Sequence, residues 1–250
     1  MASHPNKTRL DVLLVERGLA PSRQRAQAML LAGNVLVNGQ PASKAGSLVP
    51  SDSEITLAGE TLRYSSRGGL KLEGALADFH LSPEHKICLD AGSSTGGFTD
   101  CLLQHGASRV YAVDVNIAQL DWKLTKDPRV IAFECNVRYL KPEQIPDRID
   151  FVTVDLSFIS VAKVLPAVVA VARPGAGFLI LIKPQFELER SNIGKGGIVR
   201  DPKLHVRAIE SIKAAAVEHG LEPLGVHPSR VPGAEGNLEF FLHARAPSLE

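Results

Sequence analysis

Lys86-Ile-Cys-Leu-Asp-Ala-Gly-Ser-Ser-Thr-Gly-Gly-Phe-Thr99 runs a β-rich segment (86–90) into a glycine-rich turn and then into a helical pattern (97–105). The alternation continues downstream. Short β-rich runs at 109–114, 130–133, 149–155 and 178–183 are separated by helical patterns at 116–124, 161–173 and 201–219. The last helix has Asp201 as N-cap, Pro202 in its first turn and Gly220 as its stop. Strands alternating with helices predict an α/β domain with a doubly wound, mostly parallel, Rossmann-like sheet. Two late runs, 224–227 and 239–244, have no helix between them and predict a hairpin that adds an antiparallel edge.

Ligands of open parallel sheets bind beyond the carboxyl ends of the strands, which is where the turn Asp90-Ala-Gly-Ser-Ser-Thr-Gly-Gly-Phe98 lies. Ser94 stands where a GxGxxG motif needs its second glycine, and no Gly-Lys-Ser/Thr follows, so neither a pyrophosphate cradle nor a phosphate loop is expected. A ligand without phosphate fits better. Asp114, with Val115 after it, ends the second strand and suits the two hydroxyls of a ribose. Cys135-Asn136-Val137 follows the third strand and suits an adenine edge. Together these positions describe a class I S-adenosylmethionine pocket, with Gly92, Ser93, Ser94, Thr95, Gly96, Gly97, Phe98 and, after the fourth strand, Asp155 contributing.

Four ionisable residues stand out at or beside apolar runs. They are Lys71 in Ser66-Arg-Gly-Gly-Leu-Lys-Leu72, Asp155 in Asp155-Leu-Ser-Phe-Ile-Ser160, Lys183 in Lys183-Pro-Gln-Phe-Glu187, and Glu239 in Gly236-Asn-Leu-Glu-Phe-Phe241. Charges so close to buried strands need partners. Two amines and two carboxylates brought together would balance to zero and shift one another's proton affinity.

The totals restrict the alternatives. At 250 residues the chain suits one large α/β domain or a medium domain with an appendage. Its net charge of +1 leaves nucleic-acid binding to local patches. Cys88, Cys101 and Cys135 form no CxxC pair, which argues against zinc or disulfide scaffolding and for a reducing, cytoplasmic setting. The polar first nine residues are unlike a signal peptide. The apolar stretch 161–182 is broken by charges, prolines and glycines, so it reads as helix, turn and strand and not as a membrane span.

Residues 8–60 differ in character: a short helix near Leu10–Leu14, a second over 23–32 capped by Ser22, then short strands at Val35–Val37 and 55–57 with an Asn38-Gly39 turn. Arg9-Leu10-Asp11, Ser22-Arg23, Ala26, Gly33, Val35, Val37-Asn38-Gly39, Lys44, Val49 and Asp52 resemble, in order, the ribosomal protein S-four type of RNA-binding module. The resemblance implies a small α+β domain (1–61) whose basic residues contact structured RNA. Arg9, Arg23, Arg25 and Lys44 are the candidates, with Arg67 and Lys195 in the rest of the chain. A linker (62–66) leads to the larger domain (67–250) and is a candidate for coupling RNA binding to the cofactor pocket.

The type of methyl transfer is narrowed by what is missing. Amino-group methylation of bases uses an Asn/Asp-Pro-Pro-aromatic segment after the fourth strand, where this chain reads Asp155-Leu-Ser-Phe158. Base C5-methylation needs a cysteine nucleophile, and none of the three cysteines is placed for that role. A hydroxyl acceptor remains. Lys183 is the candidate base, with Lys71 as the second positive charge and Asp155 and Glu239 orienting the amines. The effects of these neighbours on Lys183 oppose one another and leave the sign of its shift open. No metal is expected, because a sulfonium leaves as a neutral thioether.

The four segments and the turn resemble the FtsJ class of RNA ribose 2′-O-methyltransferases, and more closely the TlyA-type proteins, also labelled haemolysins, which join an S-four module to that fold. The resemblance spans essentially the whole chain. It implies that Lys71, Asp155, Lys183 and Glu239 are a catalytic tetrad and that the substrate is a cytidine ribose in ribosomal RNA, within a ribosomal subunit. Monomer and homodimer are both compatible with the sequence. Gly194-Lys-Gly-Gly197 is either a lid that touches phosphate or a plain loop, and core packing is expected for Phe158 and Phe186 ahead of base stacking. The rival functions are a membrane-active haemolysin, which needs a spanning or strongly amphipathic element, and an RNA-binding assembly factor with an inactive methyltransferase domain.

Overall fold

The computed structural model describes residues 7–20, 22–42, 44–57, 63–233 and 236–248. Two compact units divide the chain, Met1–Arg67 and Gly68–Glu250. The division falls one residue beyond the domain start expected at 67, so the described part of the expected linker lies within the first unit.

In the first unit, β1 (Lys7–Arg9) runs directly into α1 (Leu10–Glu16), followed by α2 (Arg23–Leu31), β2 (Val35–Val37), β3 (Gln40–Pro41), β4 (Leu48–Pro50) and β5 (Ile55–Leu57). The Ser22 hydroxyl caps α2 by accepting from the Arg25 amide at 3.2 Å, as its residue type predicts. β3, β2 and β5 form a three-stranded antiparallel sheet, and β1 pairs with β4. Leu10 and Leu14 of α1 meet Ala26 and Leu30 of α2 over Ala20 and Val35. This core is small, which agrees with a module of about fifty residues. The β1–β4 pair was not expected, because three-residue strands leave too few positions for alternation to show.

The second unit opens with α3 (Gly68–Asp78). It continues with β6 (Ile87–Ala91), α4 (Gly97–Gln104), β7 (Arg109–Asp114), α5 (Trp122–Lys126), β8 (Val130–Glu134), β9 (Ile149–Val154), α6 (Leu165–Val171), β10 (Ala172–Ile182), α7 (Pro184–Glu187), α8 (Pro202–Glu218), β11 (Glu222–Pro228) and β12 (Phe240–Arg245). Its seven strands lie in the order β11-β12-β10-β9-β6-β7-β8. The five from β10 to β8 are parallel and β12 is antiparallel to both its neighbours. The expected parallel sheet with a late antiparallel hairpin is therefore what forms.

Alternate side chains serve opposite faces of the sheet. Leu89, Ala91, Tyr111 and Val113 join the core made with α6 and α8, in which Val168, Ile212 and Ala216 are buried. Cys88 and Asp90 point the other way, and the Asp90 carboxylate accepts from Thr99 of α4 at 2.7 Å.

Three boundaries differ from expectation. The pattern at 116–124 splits into a 3-10 turn (Ile117–Gln119) and the short α5, with the Asp121 side chain capping the latter through the Lys123 amide. The pattern at 161–173 also begins as a 3-10 turn, at Val161–Lys163, and the helix is over by Val171. β10 begins at Ala172, six residues before the apolar run, because Ala172 already pairs with Ile149 and the register then shifts before Gly177. Arg173, Pro174 and Gly175 occupy that irregularity, with Gly175 at φ +77°.

Asp90 is fully buried at the end of β6, with Thr99 on one oxygen and Thr153 on the other at 3.2 Å. Burial pushes its carboxyl up from 3.8 to about 7; the Thr99 hydroxyl opposes the rise, while the charge of Asp155 adds to it. With the folded value above the unfolded one, the native state binds more protons between these limits. Stability should therefore fall as pH rises from about 4 to about 7, by up to roughly 1 kcal/mol per pH unit. Asp90→Asn should remove that slope. Denaturant melts of both proteins from pH 4 to 8 are expected to show the variant gaining on the wild type up to about pH 7 and levelling off above it; parallel curves would refute the assignment.

Candidate active site

The four strand-end segments converge through sheet register. Ile182 is opposite Phe240 in the β10–β12 ladder, so Lys183 and Glu239 leave the sheet as neighbours. On the other side of β10, Ile180 is opposite Val154, which puts Asp155 at the same rim. The Asp155 amide donates to Ala91 O at 3.0 Å and ties that rim to the start of the glycine turn.

Two lysine–carboxylate pairs result. Lys71 Nζ, projecting from α3, lies 2.6 Å from Glu239 Oε2. Lys183 Nζ lies 2.5 Å from Asp155 Oδ1 and donates to Ser157 Oγ at 3.0 Å. Lys183 is only 9% exposed and Glu239 only 3%. Groups this buried need a partner of opposite charge close by, and each has one. The sequence identified the four members, and the structure supplies the pairing: α3 with β12, and β9 with β10.

Glycine is required at two points of the turn. Gly92 and Gly96 both have φ +92°. A Cβ on Gly92 would lie 2.2 Å from the Asp155 carbonyl oxygen, and one on Gly96 2.2 Å from Leu124 Cδ1. The turn can therefore pass against the Asp155 strand end only without side chains. Asp114 Oδ2 accepts from the Ser94 amide at 2.9 Å and Oδ1 from the Asn116 amide at 2.9 Å. Each oxygen keeps acceptor capacity for a further donor. Ser93 Oγ is buried and has no hydrogen-bond partner among the described residues.

The other expected pocket residues divide by exposure. Val115 and Asn136 are exposed, and Asn136 caps the 3-10 turn that follows by accepting from the Arg138 amide at 3.0 Å. Thr95, Gly97, Phe98 and Val137 are buried, with Phe98 stacked on Phe241 at 6.1 Å and Val137 part of the main core. Asp90 lies beneath the turn, both its oxygens engaged. Burial pushes the Cys88 and Cys135 thiols up, away from the thiolate a nucleophile requires.

Core packing does not hold for Phe158, which is 92% exposed, with φ +68° and its ring 5.3 Å from that of the partly buried Phe186. Glu187 was missed as a functional candidate. Its carboxylate accepts from Ser160 Oγ at 2.5 Å and from the Val161 amide at 2.9 Å, and burial pushes it up from its ordinary value while these bonds pull against that rise. Its only sequence signal was its place at the end of the Lys183 motif. The 194–199 loop is pinned to the segment carrying Glu239: Asn237 Nδ2 donates to Gly197 O, and Asn237 Oδ1 accepts from the Val199 amide, both at 3.0 Å. The side chain of Lys195 lies outside the described residues.

In the first unit, buried Asp11 gathers Arg9 (two bonds of 3.0 Å), Arg23 (3.1 Å) and Gln27 (3.0 Å). The Arg9 guanidinium holds the Asp11 carboxyl well below the usual carboxylate range. Arg9 and Arg23 stay about half exposed beyond this anchor. Arg25 is partly exposed, while Lys44 and Arg67 are exposed. Among the described residues no helix is long and apolar enough to cross a membrane, and no cluster of candidate metal ligands is found.

Comparison with known proteins gives these placements a family. The S4 domain model matches residues 8–55, and the FtsJ-like methyltransferase model matches residues 64–246. The 16S/23S rRNA (cytidine-2′-O)-methyltransferase TlyA of Mycobacterium tuberculosis is 46% identical over 241 residues, covering 96% of this chain and 90% of that protein. Hemolysin A of Brachyspira hyodysenteriae is 40% identical over 237 residues, covering 94% and 98%. A solved structure of a candidate hemolysin from Streptococcus thermophilus has TM-score 0.75 and 42% identity, covering 99% of this chain and 92% of that one. The chain therefore belongs to the FtsJ-like methyltransferase family and carries an S4 domain at its N-terminal end.

Proposed function

We propose that this chain transfers a methyl group from S-adenosylmethionine to the ribose 2′-hydroxyl of a cytidine in ribosomal RNA, acting in the cytoplasm on a ribosomal subunit. The observation that carries this reading is the double lysine–carboxylate arrangement, Lys71–Glu239 and Lys183–Asp155, at the strand ends beside the glycine turn. The cytidine and the ribosomal substrate rest on the activity named for the mycobacterial relative.

The residues at the turn fit the cofactor. Gly92 and Gly96 keep the turn clear of side chains, the Asp114 oxygens can take two ribose hydroxyls, and exposed Val115 offers an apolar surface for a base. Ser93 Oγ has a free position for a polar group. When bound, S-adenosylmethionine supplies a methyl group activated by its sulfonium, and it needs no metal to do so.

Lys183 then has the central task. Its nitrogen is held between the Asp155 carboxylate, an ion pair at 2.5 Å, and the Ser157 hydroxyl, to which it donates at 3.0 Å. As the neutral amine it turns its lone pair to the ribose hydroxyl and takes the proton, and Asp155 balances the ammonium charge that results. Lys71 and Glu239 neutralise each other, so the second pair shapes the site without adding net charge. Phe158 presents a ring at the mouth on which a base extruded from the RNA can stack. Arg9, Arg23, Arg25, Lys44 and Arg67 contact RNA phosphate, and the Asp11 anchor presets the first two.

Transfer of tritiated methyl to purified small and large ribosomal subunits tests the proposal. The wild type should label at least one subunit and Lys183→Ala should lower the rate by about 100-fold or more, with S-adenosylmethionine affinity within about twofold. A wild type that binds the cofactor and labels neither subunit would sink the assignment. Calorimetry checks the pocket: Asp114→Ala should weaken cofactor binding by about tenfold or more, the order expected for losing a ribose clamp. Unchanged affinity would place the cofactor elsewhere.

A further inference from the structure

We infer that Glu187 is a positioning residue that locks the 155–161 loop and thereby holds Phe158 in its exposed pose beside the reacting lysine, a role that rests on the function proposed above. The loop leaves β9 at Asp155 and reaches the next turn at Val161, and the Lys183–Glu187 segment holds it at both ends. Lys183 grips the start through Asp155 and Ser157. Glu187 grips the end through the Ser160 hydroxyl and the Val161 amide. Between these anchors the Phe186 ring faces the Phe158 ring at 5.3 Å. The two segments are thus joined at three points along their length, and α7 acts as a brace one turn long.

Phe158 needs such a brace. A bulky residue at φ +68° is strained, and a ring that is 92% exposed gains little from burial to offset that strain. An unsupported loop would relax toward ordinary backbone and turn the ring away. The partly buried Glu187 carboxylate, aimed at the two residues that close the loop, prevents this. It does not touch the reacting atoms, so its effect on the rate should pass through Phe158.

Two measurements on the full chain separate this role from general stability. The first is the fluorine NMR spectrum of protein labelled with 4-fluorophenylalanine, in which the Phe158 signal is assigned from Phe158→Leu. In Glu187→Ala that signal should move toward the value of a free, solvent-exposed ring, while the signal of Phe178, buried in the sheet, stays in place. The second is a double-mutant cycle on methyl transfer to ribosomal subunits. Glu187→Ala should lower kcat by about tenfold with cofactor affinity within about twofold, and Phe158→Leu/Glu187→Ala should be no slower than the slower single variant. An unmoved Phe158 signal, or rate losses that multiply in the double variant, would overturn the inference. Should Glu187→Ala fail to fold, Ser160→Ala removes one of the two bonds and is judged by the same readouts. A wild type that transfers no methyl group counts against the proposed function, while the fluorine signal still decides the brace.

Discussion

Buried charge at the ends of β-strands is the constraint around which this site is organised. A carboxylate as buried as Glu239, or an ammonium as buried as Lys183, is costly unless an opposite charge lies in contact. The sheet offers one arrangement that supplies such contacts. β10 must lie between β9 and β12, so that Lys183 emerges between Asp155 and Glu239. α3 must then cross the rim so that Lys71 reaches the remaining carboxylate at 2.6 Å. Strand order, the antiparallel insertion of β12 and the placement of α3 are thus coupled through two ion pairs. Losing one partner would strand the other, which makes the quartet a structural unit as well as a chemical one.

The order of β-rich and helical runs was readable from residues 86–219 because β6, β7, β9 and the end of β10 are largely buried on both faces and read as continuous apolar runs, while β8 at the sheet edge is mostly exposed. The antiparallel ending was readable because no helix separates the last two strands. The pairing of charges was not, since a sequence shows that Lys183 ends a strand but not which strand lies beside it. Phe158 shows a second limit. An aromatic residue next to an apolar run reads as core, and only its backbone at φ +68°, held by bonds from a segment 26 or more positions away, turns it to solvent. Glu187 had no signal beyond its place at the end of the Lys183 motif for the same reason: its partners, Ser160 and Val161, are distant in the chain.

The S4 unit works by similar means on a smaller scale. Arg9 and Arg23 are separated by fourteen positions, yet both reach one buried carboxylate, Asp11, which also takes Gln27. A solvated arginine carries considerable rotamer entropy that must be lost on contact with a phosphate. Fixing the guanidinium in advance lowers that loss, while the negative charge beneath it weakens the attraction for phosphate. The net benefit depends on how exposed the guanidiniums remain, and both stay about half exposed. On the proposed function, such preset guanidiniums suit phosphates held in a fixed arrangement, as in folded RNA.

The same trade runs through the rim proposed as catalytic. Lys183 is held by the charge of Asp155 and by a hydrogen bond to Ser157, and each contact that aims it also restricts it. An amine engaged at every position would have nothing to offer a substrate, and a free one would point in many directions. Two fixed contacts orient the nitrogen and leave one of its three positions open, which in the neutral amine is a lone pair. Asp155 is partly exposed and Ser157 exposed as residues, yet the Asp155 oxygen that meets Lys183 is itself buried. Because the Asp155 amide also bonds Ala91 at the start of the glycine turn, one short strand end would, on the proposed function, set the cofactor's side of the site and the acceptor's side together.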